Sequence, residues 1–186
     1  MGLSRERYDA VAGRAERLVS GAQMERILDR LAESITEVLA ERDPLVLCVM
    51  KGAVVTVGRL LPRLGFPLTL EYVQATRYQE ATSGGDLKWR HRPTATVRGR
   101  SVLVVDDILD AGITLKAVVE ACREDGAAQV YTAVLVEKER AHVGGIGADF
   151  VGVRLPDRYL FGYGLDYLGY FRNADGIYAV ADEDIG

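Results

Sequence analysis

The stretch Ser101 to Leu115, SVLVVDDILDAGITL, constrains the fold of this chain more than any other. Val102, Leu103, Val104 and Val105 form an apolar run without polar alternation, the pattern of a strand covered on both faces, as in a parallel sheet. The run ends in two adjacent carboxylates, Asp106 and Asp107, and a third follows at Asp110. Ala111 and Gly112 then make a small-residue turn into Ile113 and Thr114. The stretch predicts a buried strand, an acidic strand end and a tight loop opening a helix.

Carboxylates at the carboxyl end of a parallel strand border the crevice where open α/β sheets bind ligands. There they accept hydrogen bonds from ribose-type hydroxyls or hold a hydrated Mg²⁺. A glycine turn entering a helix presents backbone N–H groups that suit a phosphate. A sugar phosphate satisfies both halves at once. Spacing alone fits equally an ordinary strand–loop–helix unit with solvated acids, in which Asp110 or Thr114 only caps the helix.

Composition narrows the class of ligand. The 186 residues suffice for one domain with a substantial core, and no linker divides them. A net charge of -4 gives no electrostatic reason to expect nucleic acid or an anionic membrane, so a small-molecule function ranks first. Cys48 lies in an apolar run and Cys122 in a predicted helix, the pattern of small core residues. His91 and His142 offer no metal spacing. No apolar run reaches the roughly 18 residues of a membrane span, and the charged N-terminus has no signal-peptide core. The cytoplasm is the expected compartment.

Taken in order, residues 1–20 are charged and weakly patterned and read as an arm packed on the domain. From Ala22 to Glu41 the apolar residues Ile27, Leu28, Leu31, Ile35, Val38 and Leu39 recur at helical spacing, and Ser20 with Gln23 has the form of a capping box. Leu45 to Met50 reads as a buried strand running into Lys51 and Gly52, where a side-chain charge and exposed amides can hold an anion. A lysine there also reads as a plain loop charge. Leu68 to Tyr78 alternates like a strand, whereas residues 79–98 are polar and aperiodic, either a lid over a reactive centre or an irregular hairpin. Beyond the central stretch come a helix from Thr114 to Asp125 closed by Gly126, strands over Gln129 to Val136 and Phe150 to Leu155, and an aromatic, glycine-rich run from Tyr159 to Tyr170. Alternating strands and helices predict right-handed βαβ units and a mostly parallel sheet.

VVDDILDAGITL resembles the signature of the type I phosphoribosyltransferases, which bind 5-phosphoribosyl-1-pyrophosphate. Two further segments narrow the resemblance. PDRYLFGYGLDYLGYFRN is similar to the C-terminal signature of hypoxanthine-guanine phosphoribosyltransferases, and LCVMKGA looks like their pyrophosphate-binding loop. Three separated segments agree in order and spacing over about residues 20–180. The resemblance implies a single α/β domain with a five-stranded, mostly parallel sheet flanked by helices, and a small hood built from the chain ends, about residues 156–186 contributing.

It also implies roles at matching positions. Asp106 and Asp107 would contact the ribose hydroxyls, and Asp110 would serve as general base near purine N7. Asp110, Ala111, Gly112, Ile113 and Thr114 would cradle the 5-phosphate. Lys51, Gly52 and Arg172 would hold pyrophosphate, with a non-proline cis peptide after Met50. Lys138 would donate to purine O6, Tyr159 would stack on the base, and Leu160 and Asp166 would meet its edge. Mg²⁺ would be held near Asp106, Asp107 and Asp166, and Arg77 with Tyr78 would begin the lid. A lysine satisfies a 6-oxo acceptor and not a 6-amino group, so Lys138 favours hypoxanthine and guanine over adenine. Core packing for Tyr159 and a surface charge for Lys138 are the alternatives that the residues alone leave open.

Four positions depart from the family pattern. Ala111 and Ile113 stand where many relatives have Thr and Lys, which leaves more of the phosphate binding to the backbone. Arg77-Tyr78 stands where Ser-Tyr is typical, and EKER lacks the usual proline after the lysine. The expected activity is transfer of a phosphoribosyl group to a 6-oxopurine by a homodimer or homotetramer. A xanthine-guanine preference, or a donor-sensing regulator without turnover, are the alternatives.

Overall fold

The computed structural model describes residues 2–77, 87–92, 97–140 and 145–185. Its main sheet has six strands: β2 (Leu45–Val49), β3 (Thr69–Arg77), β4 (Leu87–His91), β5 (Ser101–Leu109), β6 (Gln129–Lys138) and β7 (Phe150–Leu155), ordered β4-β3-β2-β5-β6-β7. The five expected strands are all parallel, and β5 lies at their centre between β2 and β6. All five residues of β2 are buried, as are Val102 to Val105 of β5, as the unalternated apolar runs require. The sixth strand, β4, pairs antiparallel with β3 inside the segment expected to be a lid, so this part of it is a hairpin arm. Residues 78–86, with Tyr78, and 93–96 lie outside the described residues.

Helix α2 (Gly21–Leu39) starts at the expected capping box: the Gln23 backbone N–H donates to Ser20 Oγ at 3.4 Å and Ser20 N–H donates to Gln23 Oε1 at 2.8 Å. It buries Met24, Ile27, Leu28, Leu31, Ala32, Ile35 and Leu39, but Val38 turns to solvent because the 3.6-residue period carries it off that face. The helix crosses β7 at Gly152, where a Cβ would lie 2.6 Å from the Leu135 carbonyl oxygen and 3.0 Å from Ile27 Cγ2. Helix α3 (Val54–Leu60) follows β2, and α4 (Ile113–Glu124) follows β5 and ends before Gly126 at φ +89°. Cys48 and Cys122 are free, buried thiols, both pushed up to about 11 by burial.

The chain ends build a second sheet, ordered β1-β9-β8, from β1 (Glu16–Ser20), β8 (Leu160–Phe161) and β9 (Gly176–Ala179). The N-terminal segment is more structured than an arm. Ser4 caps helix α1 (Arg5–Arg14), and β1 pairs antiparallel with β9. Helical periodicity did not announce α1 because Val11 is its one buried residue. Among the described residues, no helix is long and apolar enough to cross a membrane.

Candidate active site

The cavity that matters opens at the carboxyl ends of β2, β3 and β5. It holds about 280 Å³ and is lined by Gly52, Asp106, Asp107, Asp110, Asp166 and Arg172 together with the turn into α4. β5 does not stop at its acids: the ladder with β6 continues through Leu109, opposite Glu137. Strand alternation therefore sends Asp106 and Asp107 to opposite sides of the sheet tail. Asp106 is 7% exposed, and its Oδ1 accepts the Asp107 backbone N–H at 2.9 Å.

Asp107 leans onto the turn after β2. A Cβ on Gly52 would lie 1.8 Å from Asp107 Oδ2, so only glycine lets the carboxylate come so close. The Met50–Lys51 peptide just before it is cis. Burial pushes the Asp107 carboxyl above its ordinary value, while the Asp106 hydrogen bond and the positive charge of Arg172 pull the other way. Arg172 is itself held, donating from Nη1 to the Gly164 carbonyl at 2.6 Å and pairing through Nη2 with Asp166 Oδ1 at 2.5 Å. Asp166 Oδ2 accepts the Gly169 N–H at 2.7 Å.

The entry to α4 has the form of an anion cradle. Gly112 takes φ +78° as N-cap, a left-handed conformation that glycine adopts freely, and no side chain caps the helix. The first-turn N–H groups of α4 therefore face the cavity side with the helix dipole behind them. Ala111, Gly112 and Thr114 line the cavity; Ile113 and Lys51 are exposed and do not.

Next to the cradle lies a charged cluster. Lys138, at the end of β6, is only 9% exposed, with Nζ 3.6 Å from Asp110 Oδ1 and 3.2 Å from Asp157 Oδ1. Arg140 Nη1 lies 3.0 Å from Asp110 Oδ1 and 3.4 Å from Asp157 Oδ2. The surface-charge alternative for Lys138 is thereby excluded. Tyr159, two residues past Asp157, is 38% exposed rather than packed in the core, with its ring tilted 5.5 Å from Tyr167. The Leu160 side chain is buried, which leaves its backbone for any edge contact. Arg77 contributes the last pair of β3, opposite Leu87. Sequence reading missed Asp157 and Arg140, although both sit in segments that it singled out, PDRYLF and EKER.

Carboxylates under a cavity, an uncapped helix start and a buried lysine facing a carboxylate suit a phosphorylated sugar beside a polar heterocycle. Residues 14–164 match the family model described as phosphoribosyl transferase domain. The chain belongs to the phosphoribosyltransferases. It is 31% identical to the hypoxanthine-guanine phosphoribosyltransferase of Bacillus subtilis over 84% of this chain and 87% of that protein. A solved hypoxanthine phosphoribosyltransferase from Staphylococcus aureus has a TM-score of 0.85 at 23% identity, covering 92% of this chain and 94% of that one. A hypoxanthine-guanine phosphoribosyltransferase from Bacillus anthracis has a TM-score of 0.82 at 25% identity, covering 89% and 97%.

In this phosphoribosyltransferase the site is braced from behind. Glu25 of α2 accepts from Arg59, from Arg63 at 2.6 Å and from the Tyr163 hydroxyl at 2.9 Å, and the Arg59 and Arg63 hydrogen bonds hold its carboxyl down at about 2. Tyr163 precedes Gly164, whose added Cβ would lie 2.2 Å from the Gly52 carbonyl oxygen. Glu25 thus supports the turn that carries the Arg172 contact and the turn under Asp107.

Proposed function

We infer that this phosphoribosyltransferase is a purine salvage enzyme, transferring the 5-phosphoribosyl group of 5-phosphoribosyl-1-pyrophosphate to N9 of hypoxanthine or guanine. The observation that carries the reading is the position of Asp110. It lies on the wall of the phosphate cavity and 3.6 Å from Lys138, so the sugar-phosphate half and the base half of the site meet at one carboxylate.

The donor's 5-phosphate sits on the α4 entry, its ribose hydroxyls on Asp106 and Asp107, and its pyrophosphate near Gly52, Lys51 and Arg172. The purine lies on Tyr159 with O6 toward Lys138; stacking of a base on an aromatic ring contributes ~1 to 3 kcal/mol. The C1′–oxygen bond to pyrophosphate breaks as the C1′–N9 bond forms, and the purine N7 proton passes to Asp110. Arg172 stabilises the negative charge that collects on the leaving pyrophosphate, and Lys138 stabilises the charge that develops on the base.

The oxygen donors Asp106, Asp107 and Asp166 suit Mg²⁺, which takes one or two carboxylates together with substrate phosphates and water. Among the described residues, no three metal-ligating side chains cluster as a cage, so the ion fits as one carried in with the donor. When bound, it neutralises pyrophosphate charge. The reading includes a homodimer or homotetramer in the cytoplasm, and light scattering of the purified protein measures its mass directly.

Product formation is the decisive experiment, with Mg²⁺, the donor and hypoxanthine, guanine, xanthine or adenine in turn. Nucleotide from hypoxanthine or guanine and almost none from adenine is the expected result. Turnover of xanthine and guanine alone would move the specificity to the purine C2 edge. No turnover with any base, despite donor binding, would overturn the enzymatic reading in favour of a donor-sensing regulator.

A further inference from the structure

We propose that Asp157 is a positioning residue for the purine half of the site, acting through Lys138, with Arg140 completing the same device. The proposal rests on the purine salvage reading above and adds two charged groups to it. Lys138 is opposite Leu155 in the parallel β6–β7 register, and the Glu139 N–H donates to the Leu155 carbonyl at 2.9 Å, so the two strand ends leave the sheet side by side. A tight turn, in which the Arg158 N–H donates to the Pro156 carbonyl at 2.8 Å, then brings the Asp157 carboxylate back over Lys138.

The result is an alternating square of charge. Each carboxylate faces both cations: Asp157 lies 3.2 Å from Lys138 and 3.4 Å from Arg140, and Asp110 lies 3.6 Å and 3.0 Å from the same two groups. A nearly buried ammonium needs a carboxylate beside it. If Asp110 were that carboxylate, the group that must accept the N7 proton would be committed to the lysine. Asp157 is the nearer partner of Lys138. It holds the ammonium beside the base while Asp110 gains and loses a proton. Without Asp157, Lys138 closes on Asp110, which Arg140 already contacts, and masks the base. Asp157 also immediately precedes the Arg158-Tyr159 pair, so its anchorage fixes where the stacking ring begins.

The test is steady-state kinetics of the full chain with Mg²⁺, donor and hypoxanthine, comparing the unmodified enzyme with Asp157→Asn, Asp157→Glu, Lys138→Gln and the Lys138→Gln/Asp157→Asn double variant. Asp157→Asn should lower kcat/KM for hypoxanthine by about tenfold, the scale of one charge-assisted hydrogen bond, with the donor KM within about twofold. Asp157→Glu should recover part of the loss. In the Lys138→Gln background the same change should have an effect of less than about twofold, because the group it acts through is gone. Unchanged hypoxanthine kinetics in Asp157→Asn, a loss shared equally by the donor KM, or a full second loss in the double variant would overturn the proposal. If Asp157→Asn does not fold, Arg140→Gln carries the test: a raised hypoxanthine KM with an unchanged donor KM supports the device, and no change overturns it. An unmodified enzyme that turns over no 6-oxopurine would instead overturn the reading on which the proposal rests.

Discussion

Two residues, Asp110 and Gly52, set the geometry of the site atom by atom. Asp110 has a dual address, on the cavity wall and in the cluster with Lys138 and Arg140. Replacing it with asparagine keeps shape and removes the proposed proton acceptor, so kcat should fall about a hundredfold or more while donor KM moves little. Steady-state kinetics with each substrate varied separate the two, and equal losses in both would remove the base role. Gly52 has no chemistry of its own, yet an added Cβ would occupy the place of Asp107 Oδ2. Gly52→Ala should displace that carboxylate from the ribose site and lower kcat/KM for the donor by about a hundredfold, the scale of a misplacement near one ångström. A Gly52→Ala enzyme with ordinary donor kinetics would show that Asp107 has slack the structure does not suggest.

At the scale of elements, the parallel core was legible because a strand buried on both faces is a short apolar run between turn signals, the form of LVLCV and VLVV. Helix α2 was legible for the complementary reason, a 3.6-residue stripe behind a capping box. The hood strands were not. β8 has two residues and β9 four, too short to show a period, and α1 buries one side chain. Nor could sequence bring Asp157 and Asp110 to the same lysine, because that depends on how far β6 and β7 run before they turn. The brace from α2 to α3 was equally hidden, since Glu25 lies 34 and 38 residues from Arg59 and Arg63. Its carboxyl is depressed to about 2, so the stabilisation it gives is complete above the ordinary carboxylate value near 4.5 and is lost as pH falls toward 2. Glu25→Gln should therefore flatten the acid limb of stability between those values. Urea unfolding at a series of pH values measures it, and an unchanged acid limb would mean that Arg59 and Arg63 find other partners.

For the molecule as a whole, the hood and the core are one site divided between distant parts of the chain. Arg14 of α1 reaches the buried Asp184 carboxylate, donating at 3.0 and 2.6 Å, and the Tyr167 hydroxyl donates to the Asp184 carbonyl at 2.8 Å. Tyr167 in turn flanks Tyr159. Arg14→Ala should lower the Tm and raise the purine KM more than the donor KM, because it loosens the hood and spares the α4 cradle. A calorimetric scan with two-substrate kinetics tests this, and a lowered Tm without a change in purine KM would confine the clasp to stability. The β1–β9 pairing has a further consequence in time. β1 leaves the ribosome before its partner strand, Gly176–Ala179, and the whole parallel core lies between the two in sequence. During synthesis the five parallel strands can close while β1 waits without a neighbour, so the nascent chain can assemble its phosphate cradle before it has anywhere to seat a purine.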